Sequence, residues 1–255
     1  MSEHRTFKQR LQQRQPLLGF FSGIPSPAVV EMIAYTGFDF VIIDAEHGPM
    51  GMESIDYLVR TAQGAGITAL VRVPHPSAIQ QVLDLGADGI VVPHIRTVED
   101  ARALVDACYY TPLGKRGVST VARSARFGAA GGAEYLANRH RHTVVMPMIE
   151  DVEALPNAAA IGALEGIDGL FVGPSDLSAA MNHPGQPNHP EVVAAIARVR
   201  DSVLPVNNVG LGTTGRAVAD VAGTMKSGFN FIAFSAQLVI SNAMRELLNS
   251  LKSGA

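Results

Sequence analysis

Phe40-Val41-Ile42-Ile43-Asp44-Ala45-Glu46-His47 is an unbroken apolar run that gives way abruptly to two acids and a histidine. A strand that is apolar at every position is covered on both faces, as the strands of a parallel sheet wrapped by helices are. The same form recurs along the chain. Thr68-Ala69-Leu70-Val71-Arg72, Gly89-Ile90-Val91-Val92-Pro93-His94, Val144-Val145-Met146-Pro147-Met148-Ile149-Glu150 and Gly169-Leu170-Phe171-Val172-Gly173-Pro174-Ser175-Asp176 each end in a group capable of chemistry. In a barrel of parallel strands all the carboxyl ends converge on one face, so groups far apart in sequence share one site.

Apolar runs suited to buried strands lie at 17–23, 38–44, 69–73, 89–94, 144–150, 169–172, 206–211 and 229–235. Stretches of helical period fall between them at 27–35, 52–65, 79–85, 98–107, 152–159 and 190–203. The alternation predicts a (β/α)8 TIM barrel as one domain over residues 1–255, with a C-terminal helix near 238–252. Gly37, Gly66, Gly86, Gly166 and Gly228 each follow a helical stretch and precede a strand, where a left-handed cap is expected. The long segment 111–143 carries Gly114-Lys115-Arg116-Gly117, Arg123 and Arg126. Loops of this length at a barrel mouth serve as lids or subunit contacts.

With 255 residues, 47% of them hydrophobic, the chain can bury the core of one such domain. A net charge of -3 offers no general attraction to nucleic acid or anionic lipid, which leaves a small molecule as the expected partner. Cys108 is the single cysteine, so neither an internal disulfide nor a cysteine metal cluster can form, and a buried inert thiol is expected. Residues 1–15 lack the apolar segment of a secretory signal, and no apolar stretch is long enough to span a membrane. A cytoplasmic location is the expectation.

Glu150 and Asp176 end consecutive strand units, and two hard oxygen donors on one arc of the rim suit Mg2+ or Mn2+. The alternative is a salt-bridged or helix-capping pair of acids, since Asp176 also precedes a helical stretch. His47 beside Asp44 and Glu46 is a candidate for proton transfer, against the alternative of a structural histidine. Arg72 is placed to stabilise an enolate or alkoxide oxygen, or to form a rim salt bridge. Lys8, Lys115, Lys226 and Lys252 all lie outside the predicted strands, which argues against a Schiff base inside the barrel. Ser175 lacks the nucleophile-elbow spacing. His4, His75, His140, His142, His183 and His189 occupy polar or proline-rich stretches and read as solvated, while His94 ends a strand without another acid following it.

Taken in order, the segment from Phe38 to His47, Val71-Arg72-Val73-Pro74, Gly114-Lys115-Arg116-Gly117, Ile149-Glu150 and the segment from Val172 to Ser178 resemble the HpcH/HpaI aldolase family, the metal-dependent class II pyruvate aldolases. The resemblance runs from about Leu17 to Leu248. It implies a (β/α)8 barrel assembled as a homotrimer or homohexamer with a swapped C-terminal helix. It implies reversible cleavage of 2-keto-4-hydroxy acids to pyruvate and an aldehyde through a metal-bound pyruvate enolate. By the resemblance Glu150 and Asp176 hold Mg2+ or Mn2+, with Co2+ as an alternative; His47 is the general base and Arg72 the enolate stabiliser. Asp44 and Asp84 orient or polarise the histidine, the latter across a subunit interface. Ser175 meets the pyruvate carboxylate through its backbone, and Phe21 lines the pocket. Relatives often carry glutamine where this chain has Met148, and a thioether cannot donate the corresponding hydrogen bond. An oxaloacetate decarboxylase or macrophomate-synthase-like enzyme would use the same enolate. A non-catalytic 2-keto-acid-binding protein is the alternative outside enzymes.

Overall fold

The computed structural model describes residues 6–215 and 218–253, so His4 lies outside the described residues. Strands β1 (Leu17–Ser22), β2 (Phe40–Asp44), β3 (Thr68–Arg72), β4 (Gly89–Val92), β5 (Val144–Ile149), β6 (Gly169–Val172), β7 (Gly210–Thr214) and β8 (Phe231–Ser235) pair in parallel and in sequence order. Pairing of β1 with β8 closes the barrel. The helices are α1 (Phe7–Gln12), α2 (Pro27–Tyr35), α3 (Met52–Gly64), α4 (Ile79–Asp84), α5 (Val98–Cys108), α6 (Gly132–Asn138), α7 (Ala158–Gly162), α8 (Pro174–Ala180), α9 (Pro190–Val203), α10 (Val218–Lys226) and α11 (Ala236–Ser253). None is long and apolar enough to cross a membrane, among the described residues.

Alternate strand positions feed two cores. Val41, Ile43, Val71, Ile90 and Val145 face the outer helices, while Phe40, Ile42, Leu70, Val91, Met146, Phe171 and Phe231 fill the interior. The Phe40 and Phe231 rings stack across the barrel at 3.9 Å between centroids. Bulk from β2, β6 and β8 is accommodated by small residues opposite: a Cβ on Gly212 would lie 2.8 Å from the Phe231 ring. That is why β7 carries glycine at position 212. The apolar pattern places it at 206–211, but Asn208 turns the chain with a φ of 57° and the strand starts at Gly210.

Helix α1, too short to carry a periodic apolar signal, plugs the amino-terminal end of the barrel. Leu11 is fully buried in the interior cluster. Lys8 donates to the carbonyls of His140 and Thr143 at 2.9 Å and pairs with buried Asp168 at 3.0 Å. The five glycines expected as helix caps, Gly37, Gly66, Gly86, Gly166 and Gly228, all have positive φ. The predicted helix at 152–159 divides at Pro156 into a tight turn, Val152–Asn157, and α7, because proline interrupts the helical hydrogen bonds. Cys108 is buried, and loss of hydration drives its thiol pKa upward.

The long segment 111–143 departs from its expected place. It joins the end of α5 to the start of β5, so it leaves from the amino-terminal side of the barrel rather than from the mouth of its own barrel. From there it climbs the outer wall, where Arg116 pairs with Asp84 and Arg123 donates to the Leu85 carbonyl at 2.7 Å.

Candidate active site

The carboxyl ends of β2 to β6 bring most of the expected groups to one rim. Asp44 closes β2 and Arg72 closes β3, and the register makes them direct neighbours. Arg72 Nε donates to Asp44 Oδ1 at 2.8 Å, and a terminal nitrogen donates to Oδ2 at 2.6 Å. The other terminal nitrogen lies 3.2 Å from Glu46 Oε2, and the guanidinium sits 4.8 Å from the centre of the Phe21 ring. Burial alone would raise the Asp44 carboxyl, but the hydrogen bond and charge of Arg72, with the His47 amide, outweigh it and hold its pKa low. Burial works against the Arg72 charge as well; Asp44, Glu46 and Glu150 reverse that and raise its pKa. The result is a desolvated, pre-aimed cation.

Asp44 Oδ1 also accepts the backbone N–H groups of Glu46 at 3.2 Å and His47 at 3.3 Å. The carboxylate thereby folds the chain after β2 into a tight turn. From this turn the His47 side chain projects, 62% exposed, with Nε2 3.9 Å from Glu46 Oε2. Asp44 thus reaches His47 through the backbone, and Glu46 is the carboxylate beside the ring.

Glu150, 2% exposed at the end of β5, is held from one side only. Its Oε1 accepts the His94 backbone N–H at 3.0 Å, whereas Oε2 is buried without a hydrogen-bond partner. Burial pushes the carboxyl up; the His94 amide pulls the other way, the nearby negative charge of Asp176 adds to the rise, and the pKa reaches about 7. Gly173 is needed here, because a Cβ at that position would lie 2.7 Å from Oε2. Asp176 stands exposed in the first turn of α8. An orphaned carboxylate oxygen in a cradle that only glycine leaves open, beside a second carboxylate, fits a hard divalent cation.

Around these groups, Phe21 packs edge-on against Phe171 at 5.3 Å. Met148 is 2% exposed, and its terminal methyl lies 3.4 Å from where a Gly173 Cβ would be, beside Glu150. Ser175 is in the first turn of α8, where backbone N–H groups have no acceptor within the helix. Asp84 stands apart at the carboxyl end of α4, in the outer ring of helices, against Arg116. In that position it can serve a rim only if the rim belongs to a neighbouring subunit.

The site also contains a pair that strand-end reading passed over. His94 takes a left-handed φ of 57°, aims its N–H at Glu150, and sets Nδ1 3.1 Å from Asp151 Oδ2. Burial opposes its charge, but the bond to Asp151 and the negative charges of Glu150, Asp151 and Glu46 raise its pKa. Its acid lies 57 residues onward, at the end of the adjacent strand, so no local motif marks the pair. The one available signal was that both residues follow neighbouring strands.

His183 and His189 are less solvated than expected. Their rings stack at 3.5 Å with 17° between planes, and His183 Nε2 lies 3.1 Å from Glu191 Oε2. The possible ligand atoms of these three residues fall within 4.8 Å of one another. His189 Nδ1, however, accepts the Glu191 N–H as the cap of α9. Near-parallel rings cannot direct their lone pairs at one point, so this group fits helix capping better than ion binding.

A model of the family described as HpcH/HpaI aldolase/citrate lyase matches residues 17–241. Over 98% of this chain and 93% of its own length, a hydroxypyruvate/pyruvate aldolase of Pseudomonas aeruginosa is 36% identical. Among solved structures, an HpcH/HpaI aldolase/citrate lyase family protein from Burkholderia cenocepacia superposes with a TM-score of 0.90 at 30% identity, covering 96% of this chain and 98% of that one. Macrophomate synthase superposes with a TM-score of 0.82 at 28% identity, covering 98% and 91% respectively.

Proposed function

Because the chain belongs to the HpcH/HpaI aldolase/citrate lyase family, we propose that it is a divalent-metal-dependent aldolase that reversibly cleaves 2-keto-4-hydroxy acids into pyruvate and an aldehyde. The observation that carries this reading is the unpartnered Glu150 Oε2 on the rim where the locked Arg72 guanidinium also stands. Glu150 and Asp176 would hold Mg2+ or Mn2+, with Co2+ as an alternative. When bound, the ion supplies Lewis-acid stabilisation to the keto and carboxylate oxygens of the substrate.

The chain's own groups account for the remaining steps. The free N–H groups at the start of α8, including that of Ser175, take the substrate carboxylate. His47 accepts the proton of the C4 hydroxyl as the C3–C4 bond breaks and the aldehyde departs. The bonding pair passes into the enolate, whose oxygen is stabilised by Arg72. Protonation at C3 then gives pyruvate, and addition runs the same steps backward. Asp44 and Glu46 fix Arg72 and the His47 turn. Asp84, gripped by Arg116, would polarise the histidine of an adjoining subunit. Phe21 and Met148 make the acceptor side apolar. Hydroxypyruvate joins pyruvate as a donor to test, in keeping with the name of the Pseudomonas relative.

The likeness to macrophomate synthase favours one further reading, in which carbon dioxide replaces the aldehyde as leaving group. Assaying 2-keto-4-hydroxy acids and oxaloacetate side by side, with and without a chelator, separates the two. Chelator-sensitive release of pyruvate from the hydroxy acids supports the aldolase. Turnover of oxaloacetate alone moves the protein to the second reading, and metal and pyruvate binding with no turnover makes it a binding protein. A homotrimer or homohexamer is proposed from the exposed apolar residues of α11, among them Leu238, Met244, Leu247 and Leu251.

A further inference from the structure

Below the long outer segment lies a cavity of about 930 Å3, lined in part by Arg123, Arg126, Arg139, Ser124, Tyr135 and Glu134. It opens beside Gly86, which precedes β4, and His142, which precedes β5, so it belongs to the amino-terminal half of the barrel and not to the catalytic rim of its own barrel. The charges around it are unbalanced. Among the described residues, none of the three guanidiniums has a carboxylate within the 4.0 Å ion-pair distance. Arg123 is held by neutral acceptors, the Leu85 carbonyl at 2.7 Å and Gln63 Oε1 at 2.9 Å, and Arg139 by the Ala87 carbonyl at 2.9 Å. Loss of hydration, followed by repulsion from Arg60, lowers the Arg123 pKa.

Two of the acids near this group are engaged elsewhere, while the third, Glu134, lines the cavity as an exposed carboxylate. Asp88 receives the Ala69 N–H at 2.9 Å and Gln63 at 3.1 Å, and Asp56 pairs with Arg60 at 2.9 Å. Two donors beside the cavity, Arg139 Nε and Ser124 Oγ, are buried without partners. Over the cavity the backbone holds Arg126 and Phe127 consecutively left-handed, with φ of 52° and 55°. Non-glycine residues adopt that conformation at a cost that surrounding structure must offset, and such strain gathers at ligand clamps. Guanidinium forks with unfilled valences in a roomy polar cavity match phosphate or carboxylate oxygens.

We propose that this cavity binds a small polyanion, the phosphate or polycarboxylate group of a metabolite, at a site separate from the catalytic rim. The test is calorimetric titration of the full-length, metal-loaded protein with inorganic phosphate and, separately, with tricarballylate, against chloride at equal ionic strength. At least one anion should bind saturably. Arg126→Gln, a change at an exposed side chain, and Arg139→Gln should each weaken it about tenfold or more, while Arg72→Ala should leave it in place. Binding of phosphate alone or tricarballylate alone identifies the source of the oxyanion. Absence of both, or affinity unchanged in Arg126→Gln, overturns the proposal. Loss of binding in Arg72→Ala with retention in the cavity variants assigns the anion to the catalytic rim and overturns it equally.

Discussion

Arg72 and Asp44 meet as a two-pronged ion pair between the ends of adjacent strands, with contacts of 2.8 and 2.6 Å. A lysine has one point charge where arginine has a planar fork, so it cannot bond both Asp44 oxygens and still reach Glu46. Arg72→Lys should therefore lower kcat by about 10²–10³ with a smaller effect on KM. Asp44→Ala should instead reduce stability by about 3–5 kcal/mol, because it strands a buried guanidinium. Steady-state kinetics and denaturant unfolding of the two variants separate aim from stability.

Glu150, the proposed metal ligand, ties proton uptake to the fold. In the metal-free protein its carboxyl titrates near 7, raised from an ordinary 4.5 mainly by burial. A raised acid contributes its full stability below the unfolded value, and that contribution is lost as pH rises through the folded value. The metal-free protein should thus lose up to about 3 kcal/mol between pH 4.5 and 7 from this group. Glu150→Gln should flatten that part of the profile in unfolding experiments. Cation binding must expel the same proton, so affinity should fall as pH drops below about 7.

Gly173→Ala tests the cradle without touching a ligand atom. The added methyl would sit 2.7 Å from Glu150 Oε2. Metal affinity measured by titration should fall about tenfold or more, with a smaller change in Tm of the metal-free protein. Unchanged affinity would place the cation elsewhere.

In the proposed site, Met148 would set the character of the acceptor side. Replacing this buried thioether, 2% exposed, with glutamine provides an amide donor. Met148→Gln should raise kcat/KM for hydroxylated aldehydes relative to apolar ones by about tenfold, at some cost in stability. The ratio of the two specificity constants is the readout.

Helix α11 carries Leu247 and Leu251 at 64% and 65% exposure, more apolar surface than a lone chain normally leaves in water. Leu247→Glu with Leu251→Glu should dissociate the proposed trimer or hexamer in analytical ultracentrifugation. A wild-type protein that sediments as a monomer would remove the subunit interface on which the role of Asp84 depends.

Much of this was legible in the sequence because burial and backbone geometry leave local marks. Apolar runs gave β2, β3 and β6 their places, and the positive φ at Gly37, Gly66 and Gly86 answers to glycine as helix cap. Asp44, Arg72 and Glu150 stood out as charges at the ends of such runs. What failed was non-local. Strand β7 has little hydrophobic signal, since Gly212 must make way for Phe171 and Phe231 from other strands. Helix α1 is a six-residue plug, defined by what Leu11 and Lys8 meet across the barrel. His94 could not be paired with Asp151 until two neighbouring strands were laid side by side. The direction of the 111–143 segment depended on reading it as a helix-to-strand connection.

Enolate formation on this rim is the central claim, and proton NMR of pyruvate in deuterated water tests it most directly. With Mg2+ or Mn2+ present the methyl signal should disappear as deuterium enters. Chelation should stop the exchange, and His47→Ala or Arg72→Ala should slow it by about 10² or more. Full retention of the methyl signal by protein shown to bind both metal and pyruvate would contradict the account.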